Sequence, residues 1–239
     1  MKLINDKISV LFRDLYPNLG TIQSIECIHN QINSEIHKIC TKNHIFLLHR
    51  NMHDNELRIE KMCKILHQIS KSKKNTIKPI RNKFGNFSQN RFYLTKFEFG
   101  DFFSGNKKEY FDLAKKLNIL HKELQNYNIE YNFRPNQQSY KFLTKKELMT
   151  IKNKLSKIKN KKLIDNIINN NILFIENQIT NCKIFSKNKF FEKQLIHFDL
   201  HPNNVLFVNN SVKLFLDFNS MRKGNIMEDI LFSGFRFAY

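Results

Sequence analysis

The stretch LIHFDLHPNNVLFVNNSVKLFLDF, residues 195–218, sets two histidines, two aspartates and several asparagines between apolar runs. Runs of Leu, Ile, Val and Phe are driven out of water, so the polar groups at their ends are held rigidly at the rim of a core. That is how a site is built. The spacing predicts two short strands joined at "NNS", residues 209–211, an asparagine turn. Asn204 follows Asp199 by five residues, and Asp217 opens "DFN". Transfer of a γ-phosphoryl group needs a carboxylate beside the attacking hydroxyl and oxygen ligands for the Mg²⁺ that neutralises the nucleotide phosphates. Asp199, Asn204 and Asp217 supply that set, and a hairpin would bring the last two together. Magnesium suits one amide and one carboxylate, because it keeps waters and phosphate oxygens as its other ligands.

Upstream of this stretch the pattern alternates. "IQSIECIH", "EIHKICT" and "HIFLLHR" read as strands separated by asparagine-rich turns. "DNELRIEKMCKILHQI" places Leu57, Met62, Ile65, Leu66 and Ile69 near one face of a helix. "NRFYLTKFEF" reads as a further strand ending at Gly100, with Phe97 and Phe99 open between plain core and an adenine-facing hinge. Beyond Gly100 the period changes to that of a helix in "KEYFDLAKKLNILHKELQ", with Phe111, Ala114, Leu117 and Leu120 or Leu124 on its apolar face. Residues 144–180 read as two amphipathic segments. The boundary between a small α+β lobe, residues 1–98, and a mainly helical lobe, residues 99–239, falls near residues 97–101.

The 239 residues and 41% hydrophobic content suffice for one sizeable domain or two lobes sharing a cleft. No apolar run approaches the roughly 18 residues that cross a bilayer, and "MKLINDKISVLFRDLYPNLG" shows no signal-peptide pattern, so a cytoplasmic protein is expected. The four cysteines are widely spaced, which suggests neither a zinc site nor a disulfide framework. Forty Lys and Arg against 21 Asp and Glu give a net charge of +19. The lysines are dispersed in a chain rich in Asn and Ile and accompany no recognised binding module, so no nucleic-acid partner is expected.

"HFDLHPNN…LDFN" resembles the catalytic and metal-binding loops of the protein-kinase-like superfamily, most closely its small-molecule branch of aminoglycoside phosphotransferases and choline and ethanolamine kinases. "INSEIHKICTKNHIFLLHR" is similar to that family's phosphate-covering hairpin and basic strand, "LRIEKMCKIL" to its glutamate-bearing helix, and "LAKKLNILHKEL" to the helix before its substrate region. The resemblance implies a two-lobed kinase-like α+β fold that binds ATP and Mg²⁺ and phosphorylates a hydroxyl of a small metabolite. Asp199 would be the catalytic base, Asn204 and Asp217 the metal ligands, and Asp229 the buttress of the catalytic loop. Glu60 would partner a phosphate-binding basic residue, which falls on His49 or Arg50. The hairpin "CIHNQINSEIH" contains no glycine, so it would grip phosphate through the Asn33 and Ser34 side chains or grip it weakly. Asn219 stands where many relatives carry a second acid, and the sequence reaches Tyr239 ten residues after Asp229. These departures favour a second reading, a non-catalytic nucleotide-binding or interaction protein. His197, at a buried strand end, reads as a hydrogen-bonded structural residue.

Overall fold

A computed structural model describes residues 2–32, 34–72, 75–127, 149–150, 153–154, 157 and 193–238. The amphipathic segments expected over 144–180, and Asn33, lie largely or wholly outside the described residues. The chain forms two compact units, residues 1–133 with 193–239, and residues 134–192.

The first unit opens with a helix the sequence reading did not assign, α1 (Lys2–Leu15). Its Ile8, Phe12 and Leu15 recur at helical spacing and are buried with Tyr16. An antiparallel sheet follows, made of β1 (Ile22–Gln31), β2 (Ser34–Thr41), β3 (Ile45–Asn51), β4 (Pro79–Ile80), β5 (Ser88–Gln89) and β6 (Phe92–Lys96). The order is β1-β2-β3-β6-β4, with β5 also paired to β6. Successive side chains on a strand point to opposite faces. One face presents Ile39, Phe46, Leu48, Phe92 and Leu94 to α1, closing a small core. The other carries Lys38, His49, Tyr93 and Thr95, as the cross-strand pairing of His49 with Tyr93 and of Lys38 with Leu47 requires.

Helix α2 (Glu56–Lys71) starts at Asn55, whose side chain accepts from the Arg58 amide. Its buried face is Ile59, Met62, Cys63, Ile65, Leu66 and Ile69, whereas Leu57, expected there, is exposed. Helix α3 (Lys107–Gln125) is likewise rotated from expectation: Leu113, Leu117, Leu120 and Leu124 are buried and Phe111 is exposed. Both helices join one apolar core with Tyr93 and with the hairpin β8 (Val205–Val208) and β9 (Ser211–Phe215). The expected asparagine turn closes that hairpin, Asn209 and Asn210 both taking positive φ, 52° and 62°, as asparagine tolerates. β7 (Gln194–Ile196) pairs with β10 (Arg222–Gly224), and α4 (Ile226–Ala238) follows.

The sheet reaches the hairpin through Asp101, whose amide and carbonyl exchange hydrogen bonds with Phe207 at 2.9 and 2.7 Å. Gly100 permits this approach. A Cβ there would lie 3.0 Å from the Phe207 carbonyl oxygen.

Candidate active site

The loop from His197 to Asn204 is held from beneath by Asp229, a fully buried carboxylate on α4. It accepts from the amides of His197 (2.8 Å) and Phe198 (2.6 Å), and from His121 Nε2 at 2.9 Å. Phe198 sits at φ 65°, a conformation that costs energy for a side chain of this kind and persists only where its surroundings over-determine it. The two amide bonds do so, aided by the Arg222 guanidinium 3.5 Å from the Phe198 ring centroid. The buttressing role expected of Asp229 is thus the arrangement found.

His197 is a structural residue, as the sequence indicated. It is buried, its Nε2 donates to the Leu216 carbonyl at 2.7 Å, and its Nδ1 accepts from the Asp199 amide at 3.2 Å. One ring therefore ties the loop bearing Asp199 to the backbone preceding Asp217. Asn204 Nδ2 donates to the Asp199 carbonyl at 2.8 Å, which leaves its Oδ1 as the atom available to a ligand. The Leu216 amide donates to the Asn204 carbonyl at 2.9 Å, so hairpin register sets Asn204 beside the segment entering Asp217. Asp217 is exposed and left-handed, φ 49° and ψ 72°, and its Oδ1 accepts from the Asn219 amide at 3.2 Å. The backbone segments bearing Asp199, Asn204 and Asp217 are thereby brought together. Burial holds the neighbouring His201 imidazole below its ordinary pKa, against the opposing pull of the Asp199 carboxylate.

Strand parity puts His49 and Arg50 on opposite faces of the sheet. Arg50 lies on the α1 face, over the Phe92 ring at 5.3 Å and paired with Glu35 at 3.4 Å. His49 lies on the opposite face, stacked on Tyr93 with centroids 4.6 Å apart, and its Nε2 is 2.9 Å from Thr95 Oγ1. Burial pushes its pKa down to about 4, only partly offset by the Asp217 charge, so the ring is neutral near pH 7.

Glu60 also differs from expectation. Its Oε2 accepts from the Phe87 and Ser88 amides, both at 2.8 Å, and Lys64 lies 3.4 Å from its Oε1. It pairs with neither His49 nor Arg50, because two backbone donors at the start of β5 already claim the carboxylate. The α2 residue that reaches the Asp217 loop is instead Arg58, which donates to the carbonyls of Asn219 (2.9 Å) and Met221 (3.1 Å). The sequence reading passed over it, and the only local signal was the polar run "NMHDN" before the helix.

Of the remaining candidates, Ser34 Oγ is 3.0 Å from His29 Nε2 across the β1–β2 hairpin. Phe97 and Phe99 meet edge to face at 5.0 Å. The Lys38 ammonium lies 5.3 Å from the Phe97 ring, and Phe99 is exposed. Among the described residues no cluster of three or more His, Cys, Asp or Glu could hold a metal, and no helix is long and apolar enough to cross a membrane.

Residues 178–237 match the family described as the phosphotransferase enzyme family. No curated protein sequence matches the chain. Among solved structures, it is similar to the aminoglycoside phosphotransferase of Alicyclobacillus acidocaldarius subsp. acidocaldarius, 13% identical with TM-score 0.70 over 92% of this chain and 68% of that one. An amicoumacin kinase bound to AMP-PNP and Ca²⁺ is 11% identical, TM-score 0.68, over 97% of this chain and 68% of its own. The ethanolamine kinase of Plasmodium vivax is 18% identical, TM-score 0.55, over 95% and 64% respectively. These likenesses bear out the kinase-like α+β fold expected from the loops at 196–219. In that fold, and in the sequence of residues 178–237, the chain is similar to the phosphotransferase enzyme family.

Proposed function

We propose that the protein binds MgATP between an N-terminal lobe, residues 1–98, and a C-terminal lobe, residues 99–239, and transfers the γ-phosphoryl group to a hydroxyl of a small metabolite. The observation that carries this reading is the convergence of Asn204, pinned through Nδ2 to the Asp199 carbonyl, with Asp217 across the hairpin. Solved structures of this fold hold ADP with spectinomycin and AMP-PNP with Ca²⁺, which supports a nucleotide donor and a small acceptor. The acceptor would be an amino alcohol such as choline or ethanolamine, a sugar, an aminoglycoside or homoserine.

The donor set fits Mg²⁺. Asn204 offers Oδ1 because Nδ2 is engaged, and Asp217 offers an exposed carboxylate, the sparse protein ligation that this ion accepts alongside phosphate oxygens. When bound, the ion neutralises charge on the nucleotide phosphates. The rest falls to the chain. Asp199 orients the acceptor hydroxyl. As the hydroxyl oxygen bonds to the γ-phosphorus and the bond from phosphorus to the ADP oxygen breaks, the hydroxyl proton passes to the Asp199 carboxylate and then to water. Asn33 and Ser34 offer side-chain donors to phosphate in place of glycine amides. Phe97 and Phe99 give apolar surface to the adenine ring. His49, neutral, contributes shape and hydrogen bonding but no charge.

The test has two stages. MgATP should raise the melting temperature and ATP with EDTA should raise it much less, since a ligand that binds only the folded state stabilises it by mass action. Coupled ADP release over a panel of hydroxyl compounds then identifies the acceptor. The neutral His49 and the diverted Glu60 favour a second reading, a nucleotide-binding protein without turnover. MgATP binding with no ADP release above buffer across the panel would select it.

A further inference from the structure

Resting on the MgATP reading above, we infer that Arg58, with Asn51 and Asn219, is a positioning residue that holds Asp217 in its ligand conformation. Asn219 is gripped at three of its atoms. Its Oδ1 accepts from Asn51 Nδ2 at 3.1 Å and from the Tyr93 hydroxyl at 3.4 Å, and its carbonyl accepts from Arg58 at 2.9 Å. Its amide is the donor to Asp217 Oδ1. The segment bearing Asp217 is therefore tied to β3, β6 and α2 through one residue.

Each tether is itself fixed. Arg58 forms an ion pair with Asp54, and Asp54 accepts from Asn51 Nδ2 at 2.8 Å. Asn51 Oδ1 accepts from the amides of His53 (3.0 Å) and Asp54 (3.1 Å), which orients the amide so that Nδ2 faces Asn219. Asn51 and Asp54 are buried, and the Arg58 side chain is only 12% exposed, so these bonds are shielded from competing water. Asp217, by contrast, is exposed and left-handed, a conformation that costs energy and that the Asn219 amide helps to hold. Partners of this kind behind a metal ligand commonly set metal affinity by about 10 to 100-fold. With Glu60 bound to β5, this network is a polar link between the sheet, α2 and the metal-ligand loop.

The experiment measures ATP binding to the full chain by calorimetry across a Mg²⁺ titration, with an EDTA arm. Arg58→Ala should raise the Mg²⁺ concentration for half-maximal ATP binding by about tenfold, leave metal-free ATP affinity within about twofold, and be partly rescued by Arg58→Lys. Asn219→Ala, which spares the Arg58 bonds to the backbone, should show the same effect in weaker form and serves if Arg58→Ala does not fold. A lowered melting temperature with unchanged Mg²⁺ dependence in both variants would overturn the inference and leave Arg58 a mere helix anchor. A wild-type protein whose ATP binding ignores Mg²⁺ would instead overturn the reading of the site on which it rests.

Discussion

His121 Nε2 lies 2.9 Å from Asp229 Oδ2, joining the C-terminal end of α3 to the carboxylate that holds the loop from His197 to Asn204. Both residues are buried, and Asp229 also receives the amides of His197 and Phe198. Asp229→Asn would turn an amide donor toward one of these donors. Removing one member of a buried, hydrogen-bonded set of this kind typically costs about 3 to 5 kcal/mol. Denaturant unfolding of Asp229→Asn should therefore show a loss of about that size, with turnover reduced because Phe198 is no longer held at φ 65°. Unchanged stability would mean that the loop does not depend on this carboxylate.

Glu60 supports β5, so its removal should be felt in folding and not in nucleotide binding. Glu60→Gln keeps one carbonyl acceptor for the Phe87 and Ser88 amides but loses the charge that strengthens both bonds. A loss of about 1 to 2 kcal/mol is expected, with MgATP affinity within about twofold of wild type. A large fall in affinity at unchanged stability would restore Glu60 to the phosphate site.

The neutral His49 makes stability depend on acid. An unperturbed imidazole titrates near 6.5, and in the folded protein this one titrates near 4. Between those values the unfolded chain binds a proton that the folded state refuses, so stability is complete above about pH 6.5 and declines as pH falls toward 4. The Asp217 charge opposes this effect without cancelling it. In metal-free buffer, melting temperature should fall more steeply from pH 6.5 to 4 in wild type than in His49→Gln. Equal slopes would show that His49 carries its proton in the fold.

The hairpin of β8 and β9 was legible in the sequence because its determinants are local. Asn209 and Asn210 specify the turn, and apolar runs on both sides specify the strands. The loops at 197–204 and 217–219 follow from the same short stretch. Parity in β3 was not legible: "IFLL" is apolar on both faces, so alternation alone does not say which of His49 and Arg50 faces the site. That is decided by α1, which covers the Phe46 and Leu48 face and which the sequence reading left unassigned. Glu60 and Arg58 lie two residues apart on α2, and their roles depend on partners 27 and 161 residues away. Helical periodicity places such residues on a helix and says nothing of those partners.

In the proposed reaction Asp199 accepts the proton of the acceptor hydroxyl, and Asp199→Asn removes that capacity. The substitution preserves shape and hydrogen-bonding reach but removes basicity. With the acceptor identified, turnover measured by coupled ADP release should fall by about 100 to 10,000-fold, while melting temperature and MgATP affinity stay close to wild type. If Asp199 were only a loop cap, asparagine would serve about as well. A loss of turnover below about threefold would then mean that Asp199 is not the base.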